Sequence, residues 1–269
     1  MTSNDRLRTT FNEDAERYQR ARPGYPAALF DDLAQLTGFG PGSRVLEIAC
    51  GTGQATVPLA ERGYQIVAVE LGENMAAVAR RVLAPFPNVE VVTAAFEAWP
   101  LPPEPFDLIV CATAFHWLDP AVRYVKCAQA LRPGGVLATI ATHHVAGGTE
   151  SFFAEMQACY ERWDPATPPG LRCEPPDAIP LDSDDVAVSG LFEQPEFRRY
   201  LSDLPYTTAS YIDVLLTYSG HRALPPDDQR GLLSCISTLI DERYGGHIVK
   251  RYLSELRIAR TRSHPGQPA

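Results

Sequence analysis

The chain lacks any apolar run near the ~20 residues needed to cross a bilayer, which excludes a helical membrane anchor as its organising feature. It lacks an excess of positive charge: 33 acids stand against 24 bases, net −9. Nucleic-acid binders depend on Lys and Arg to neutralise phosphates, so such a partner is not expected. It lacks a Cys-x-x-Cys pair. Six cysteines (Cys50, Cys111, Cys127, Cys159, Cys173, Cys235) are scattered, which predicts reduced thiols rather than a zinc site or a disulfide framework. The polar, charged stretch Met1 to Arg20 lacks the apolar core of a signal peptide, which predicts a cytoplasmic protein with no membrane partner.

What is present is an alternation. Apolar strand-like runs fall at 44–48, 65–69, 89–92, 106–112 and 135–141, with helical segments between them at 54–62, 73–83 and 120–131. Strands separated by helix-length segments predict an α/β fold, a doubly wound parallel sheet with helices on both faces. Upstream, 5–20 reads as a charged amphipathic helix, stopped by Arg22-Pro23-Gly24-Tyr25-Pro26, and 27–36 as a second helix. The alternation ends near residue 146. Aromatic helical pieces at 152–163 and a proline-rich acidic stretch at 164–185 follow, too long for a plain connection. A strand at 197–204, helices at 207–218 and 226–243 and a last strand at 248–258 complete the reading. The expected organisation is an N-terminal helical lid (1–43), a binding core (44–146), a helical cap inserted after the fifth strand (147–196), the remaining strands and helices (197–260) and a disordered tail (261–269).

The first strand runs into Glu47-Ile48-Ala49-Cys50-Gly51-Thr52-Gly53-Gln54. Gly51 and Gly53 let a ligand approach the main chain closely, and a helix N-terminus behind such a turn favours a negative group. A dinucleotide loop would read Gly-x-Gly-x-x-Gly; here the third position is Thr56. Glu47 before the turn would repel a pyrophosphate and suit a cation. An adenosine cofactor with an ammonium group therefore fits better than a dinucleotide. Glu70, 17 residues after Gly53 at the tip of the second strand, is placed to accept from both ribose hydroxyls. The loop after the third strand offers Phe96, and Leu71 follows Glu70; either ring or side chain can border an adenine. The fourth strand ends in Thr113-Ala114-Phe115-His116-Trp117, placing an imidazole and aromatic faces where open α/β sheets bind ligands. Those faces attract cations, and His116 is a candidate general base. His143, next to His144 after the fifth strand, is a second. Leu131-Arg132-Pro133-Gly134-Gly135 reads as a helix stop and tight turn ahead of that strand.

Together, Glu-x-Ala-Cys-Gly-Thr-Gly, Ala-Val-Glu and Leu-Arg-Pro-Gly-Gly resemble the class I S-adenosylmethionine-dependent methyltransferases. Residues 5 to about 145 carry the resemblance. Phe11, Tyr18, Arg22-Pro-Gly-Tyr-Pro, Ala-Phe-His-Trp-Leu-Asp at 114–119 and Thr217-Tyr218-Ser219 look like the small-molecule branch that includes trans-aconitate methyltransferase. The resemblance implies a Rossmann-like sheet of seven strands, one antiparallel. It implies that Glu47, Ala49, Gly51, Gly53 and Gln54 hold the methionine part and Glu70 the ribose. Leu71 and Met75 would border the adenine, with Ala95 and the Phe96 backbone at its edge. Thr113 and His116 would lie near the sulfonium, with Tyr18 and Arg22 closing the site. Ala49 replaces the usual first glycine, and Ala95 stands where many relatives have Asp. The expected activity is methyl transfer to a small organic acceptor, at a carboxylate or hydroxyl oxygen. A carbon or nitrogen acceptor, or a non-catalytic cofactor-binding role, is the alternative. Oligomeric state is not legible.

Overall fold

A computed structural model describes residues 11–181 and 184–262. After a 3₁₀ turn at Phe11–Asp14 come α1 (Ala15–Ala21) and α2 (Ala27–Thr37). The core follows as β1 (Arg44–Ile48), α3 (Thr56–Glu61), β2 (Gln65–Glu70), α4 (Glu73–Leu83), β3 (Val89–Thr93) and β4 (Phe106–Ala112). A 3₁₀ turn at Phe115–Trp117 leads to α5 (Arg123–Ala130) and β5 (Leu131–Gly148). Then come α6 (Glu150–Trp163), α7 (Asp184–Ser189), β6 (Glu196–Thr207), α8 (Thr208–Leu215), α9 (Ser219–Arg222), α10 (Pro226–Tyr244) and β7 (His247–Arg260). The strands form one seven-stranded sheet in the order β3-β2-β1-β4-β5-β7-β6.

β1 pairs in parallel with β2 and β4, β2 with β3, and β4 with β5. β7 runs against β5: Thr261 donates to Gly135 near one end, and Thr149 to Val249 near the other. The expected doubly wound, mostly parallel sheet with one antiparallel strand is therefore what the chain builds. Its faces follow the period-2 rule. Val45, Leu108, Val110, Val136, Ala138 and Ile140 pack into one core with Leu29, Phe30, Leu33 and Leu59. The alternate residues Leu46, Ile48, Ile109, Cys111 and Leu137 enter a second, with Phe96, Phe115 and Tyr124.

The chain divides into two compact units. One comprises the N-terminal residues through Arg22, His143–Pro180 and Leu201–Leu253; the other comprises Pro23–Thr142, Leu181–Tyr200 and the chain from Ser254. The first has its own core, in which Phe152, Met156, Tyr211, Val214, Leu232, Ile236 and Ile240 are buried. Gly231 allows α6 and α10 to approach: a Cβ there would lie 2.4 Å from the Trp163 ring.

Several boundaries and one bonding expectation need correction. The run 131–135 is not a turn ahead of β5 but part of it. Leu131 already pairs with Phe106, and the register shifts before Val136 pairs with Leu108, so Arg132 to Gly135 form an irregularity inside the strand. β5 then continues to Gly148, which puts His143 and His144 within a strand rather than after one. The segment 207–218 breaks into α8 and α9. α3 is only six residues long, so Gln54 and Ala55 belong to the turn. Cys159 and Cys235 are not reduced thiols but a disulfide joining α6 to α10; Cys50, Cys111, Cys127 and Cys173 are free. Disulfides persist in oxidising surroundings, so this bond and the expected cytoplasmic location pull apart. Of the expected tail, Thr261 is buried and bridges to Phe192, because it extends the β7 ladder; 263–269 lie outside the described residues, as does 5–10 of the expected first helix. Among the described residues no helix is long and apolar enough to cross a membrane.

Candidate cofactor site

β1, β2 and β4 are adjacent parallel strands, so their carboxyl ends and the loops that leave them lie side by side. Glu47 is the last-but-one residue of β1 and is 1% exposed. Burial pushes its pKa up to about 8; the Glu70 charge adds to this, and the Thr56 hydroxyl partly opposes it. No hydrogen bond closes between them: Glu47 Oε2 and Thr56 Oγ1 are both buried without a hydrogen-bond partner. A buried carboxylate oxygen with nothing to accept from is costly. A ligand ammonium group at this position would remove that cost.

Glu70 is also buried, and its two oxygens are engaged. Oε2 accepts from the Gly51 amide at 2.9 Å and Oε1 from the Gly72 amide at 2.8 Å. Glu70 thus clamps the glycine turn to the tip of β2. The turn itself is built from left-handed backbone: φ is 55° at Ala49, 60° at Gly51 and 105° at Gly53. Glycine adopts such angles freely; alanine does so at a cost of about 1–2 kcal/mol. The Gln54 amide donates to the Thr52 hydroxyl at 2.7 Å, closing the turn. The short α3 supplies no helix terminus of consequence, so any anion held here would meet turn amides.

Thr113, just after β4, is the other left-handed non-glycine residue among the described residues, with φ 56°. A β-branched residue is an outlier there. Two bonds hold it: its amide donates to the Ile140 carbonyl at 2.7 Å, and its hydroxyl bonds the Tyr25 hydroxyl at 2.8 Å. His116 follows on the 3₁₀ turn, exposed, its ring 4.7 Å from that of Trp117. Partial loss of water and the Arg123 charge lower its pKa, which keeps the imidazole neutral and able to accept a proton near pH 7. Phe115, by contrast, is core: it is buried edge-on to Tyr124, ring centroids 5.2 Å apart.

The other predicted residues divide. Met75 is buried on α4, while Leu71 and Ala95 are half-exposed and able to border a ligand. The Phe96 ring is not available for an adenine face, because it is buried in the second core with Lys126 above it; only its backbone remains a candidate. Glu47, Ala49, Gly51, Gly53, Gln54, Glu70, Leu71, Met75, Ala95, Phe96, Thr113 and His116 all belong to one unit. Tyr18, Arg22 and His143 belong to the other. There the Arg22 guanidinium lies 5.2 Å from the Tyr18 ring centroid and 4.5 Å from that of Tyr218. Sequence reasoning gave no site role to Tyr25, which it used as part of a helix stop and of the resemblance, nor to Thr56, noticed for not being glycine.

Residues 45–135 match the family described as methyltransferase domain. An uncharacterized methyltransferase of Mycobacterium tuberculosis (strain H37Rv) is 35% identical over 131 residues, covering 49% of this chain and 51% of that protein. One from Schizosaccharomyces pombe is 33% identical over 132 residues, 49% and 50% of the two chains. The chain thus spans about half the length of the curated relatives it matches. Among solved structures, a candidate type II methyltransferase from Anaeromyxobacter dehalogenans is similar, with TM-score 0.64 and 23% identity over 89% of this chain and 97% of that one. Phosphoethanolamine N-methyltransferase 2 of Haemonchus contortus, solved with phosphomonomethylethanolamine and S-adenosylhomocysteine, is similar over 98% of this chain and 61% of its own, with TM-score 0.55 and 18% identity. These structures share the fold.

Proposed function

We propose, for a chain whose residues 45–135 match a methyltransferase domain, that it is an S-adenosylmethionine-dependent methyltransferase acting on a small organic molecule, at a carboxylate or hydroxyl oxygen. The observation that carries the cofactor is the buried, partnerless Oε2 of Glu47, near the end of the strand that runs into the glycine turn, which Glu70 on the neighbouring strand holds in place. Glu47 takes the ammonium group of the amino acid moiety in a charge-assisted hydrogen bond. The Gly51–Gly53 turn admits the ligand against its main chain. Glu70 accepts from the ribose hydroxyls, and Leu71, Met75, Ala95 and the Phe96 backbone border the adenine. When bound, the cofactor supplies an electrophilic methyl group on a sulfonium.

The protein's remaining work is alignment and proton handling. Holding acceptor and methyl in line is worth about 7–11 kcal/mol in favourable cases. Thr113, fixed in its strained conformation by Tyr25 and Ile140, is a positioning residue at the end of β4. A carboxylate acceptor needs no base. A hydroxyl acceptor does, and His116, neutral near pH 7, takes its proton. Tyr18, Arg22 and His143 are assigned to the acceptor side. The likeness to the branch that includes trans-aconitate methyltransferase, carried by Arg22 to Pro26 and Ala114 to Asp119, supports a small-molecule acceptor. The test is transfer of labelled methyl from S-adenosylmethionine to a panel of carboxylic acids and phenols. His116→Ala should then cut kcat on a phenolic acceptor more than it weakens cofactor binding. A variant changed only in cofactor affinity would remove the base role, and binding of cofactor without transfer to any small acceptor would leave a binding protein.

A further inference from the structure

In the unit that comprises the N-terminal residues through Arg22, His143–Pro180 and Leu201–Leu253, basic side chains and tyrosines share one set of rings. The Lys250 ammonium lies 4.3 Å from the Phe153 ring centroid and 5.5 Å from that of Tyr252. The Tyr252 hydroxyl is 3.2 Å from the Tyr206 hydroxyl and 3.5 Å from that of Tyr218. The exposed His144 sets its ring edge-on to Tyr218 and Tyr252, at 5.3 and 5.4 Å. The Arg22 guanidinium lies 4.5 Å from the Tyr218 ring centroid.

Lys250 is the anomaly. It is 4% exposed, and lysine is almost never so buried without an opposite charge. Several arginines of the same unit have carboxylates: Arg222 pairs with Glu13, Arg243 with Glu155 and Arg251 with Asp203. Lys250 has neither an ion pair nor a hydrogen bond among the described residues; aromatic faces replace part of the lost hydration, and the acidic group that acts on it is the Cys173 thiol, not a carboxylate. Loss of water lowers the His144 pKa most, and the charges that lower it further are those of Lys250, Arg22, His221 and His143, all basic. The carboxylate of Asp164 acts on Tyr160 and His221 at one end of the set, not on His144 or Lys250. Burial lowers the Lys250 pKa to about 8, so the ammonium group is still charged near neutral pH. A chain of net charge −9 has thus kept a buried positive spot that no carboxylate of its own neutralises.

We propose that Lys250, with Arg22, His144 and the hydroxyls of Tyr206, Tyr218 and Tyr252, forms a binding site for the carboxylate of a small, flat organic acid. Lys250 provides the counter-charge, the phenols donate to the carboxylate oxygens, and the tyrosine rings and Phe153 receive the flat carbon frame. That this acid is the methyl acceptor, or carries the accepting atom, rests on the methyl-transfer reading above; the anion site does not.

The test is calorimetric titration of the full chain with benzoate, phenylacetate and cinnamate, each against its neutral amide, and with inorganic phosphate. At least one acid should bind, and its amide about tenfold more weakly or worse, as loss of a charge-assisted bond implies. Lys250→Met should abolish that preference, Lys250→Arg should keep part of it, and Tyr218→Phe should weaken the acid alone. Melting curves establish that each variant folds. Acids that bind no better than amides, or a preference that survives Lys250→Met, would overturn the proposal. Lys250-dependent binding of phosphate in preference to every acid would overturn the carboxylate assignment. S-adenosylhomocysteine titrated in parallel keeps the two readings apart: its binding without any acid binding refutes only the anion site.

Discussion

Glu47 is nearly inaccessible, yet one of its oxygens has no donor. In an unfolded chain it would titrate near 4.5, and in the fold near 8. Between those values the folded state holds a proton that the unfolded state has released, so this group's contribution to stability falls as pH rises from 4.5 to 8. Glu47→Gln should flatten that decline in a series of thermal melts. Ligand binding reverses the sign. An ammonium group favours the ionised form, so cofactor binding near pH 7 should release a proton, approaching one per site. Calorimetry in buffers of different ionisation enthalpy reads this directly; equal heats in all buffers would mean that Glu47 does not meet the cation. Ala49 allows a second check. Its φ of 55° suits glycine, so Ala49→Gly should raise stability by up to about 1 kcal/mol, and a loss of that size would show that the turn depends on the methyl group. Glu47, Glu70 and the two glycines were legible because residue type and spacing encode them. The Tyr25–Thr113 bond was not: it joins residues 88 apart in the chain, and nothing local marks either partner for the other.

The parallel strands at the scale of elements were legible for a related reason. β1, β2 and β4 are largely apolar because both of their faces are covered, the edge strand β3 was marked by its valines though none of its residues is buried, and the ends of all four fall within two residues of expectation. β5 was misread at its start because Pro133 and Gly134 signal a turn, whereas the fold absorbs them as an irregularity within the strand. The pattern of β7 held a clue that went unused. Ile248, Lys250, Tyr252, Ser254, Leu256 and Ile258 share one face under period 2, so a lysine sits on an apolar stripe. The α6–α10 pair was illegible because cysteines 76 residues apart declare no partner. Its disulfide is testable. Under oxidising conditions Cys235→Ser should cost about 2–4 kcal/mol, and an added reductant should lower the wild-type melting temperature while leaving the variant unchanged. Gly231→Ala, which forces a methyl into the Trp163 ring, should cost about 1–3 kcal/mol. A neutral result in thermal melts would mean that the helices separate without penalty.

Charge is spread unevenly over the whole molecule. A chain of net −9 places two buried carboxylates, Glu47 and Glu70, beside its glycine turn, and a buried lysine, Lys250, beside Tyr252 in the other unit. The first arrangement suits a cationic cofactor and the second an anionic acceptor. Composition argued against a nucleic-acid partner but was silent on this division, because net charge carries no positions. The cofactor is the part of the account on which the rest depends, and Glu47→Gln, equal in size and unable to ionise, tests it most directly. S-adenosylhomocysteine should bind the wild type saturably in a calorimetric titration at pH 7.5, and the variant about tenfold more weakly or worse with no loss in melting temperature. Absence of binding to the wild type, or equal affinity in the two proteins, would contradict the assignment of Glu47 and the cofactor it is proposed to hold.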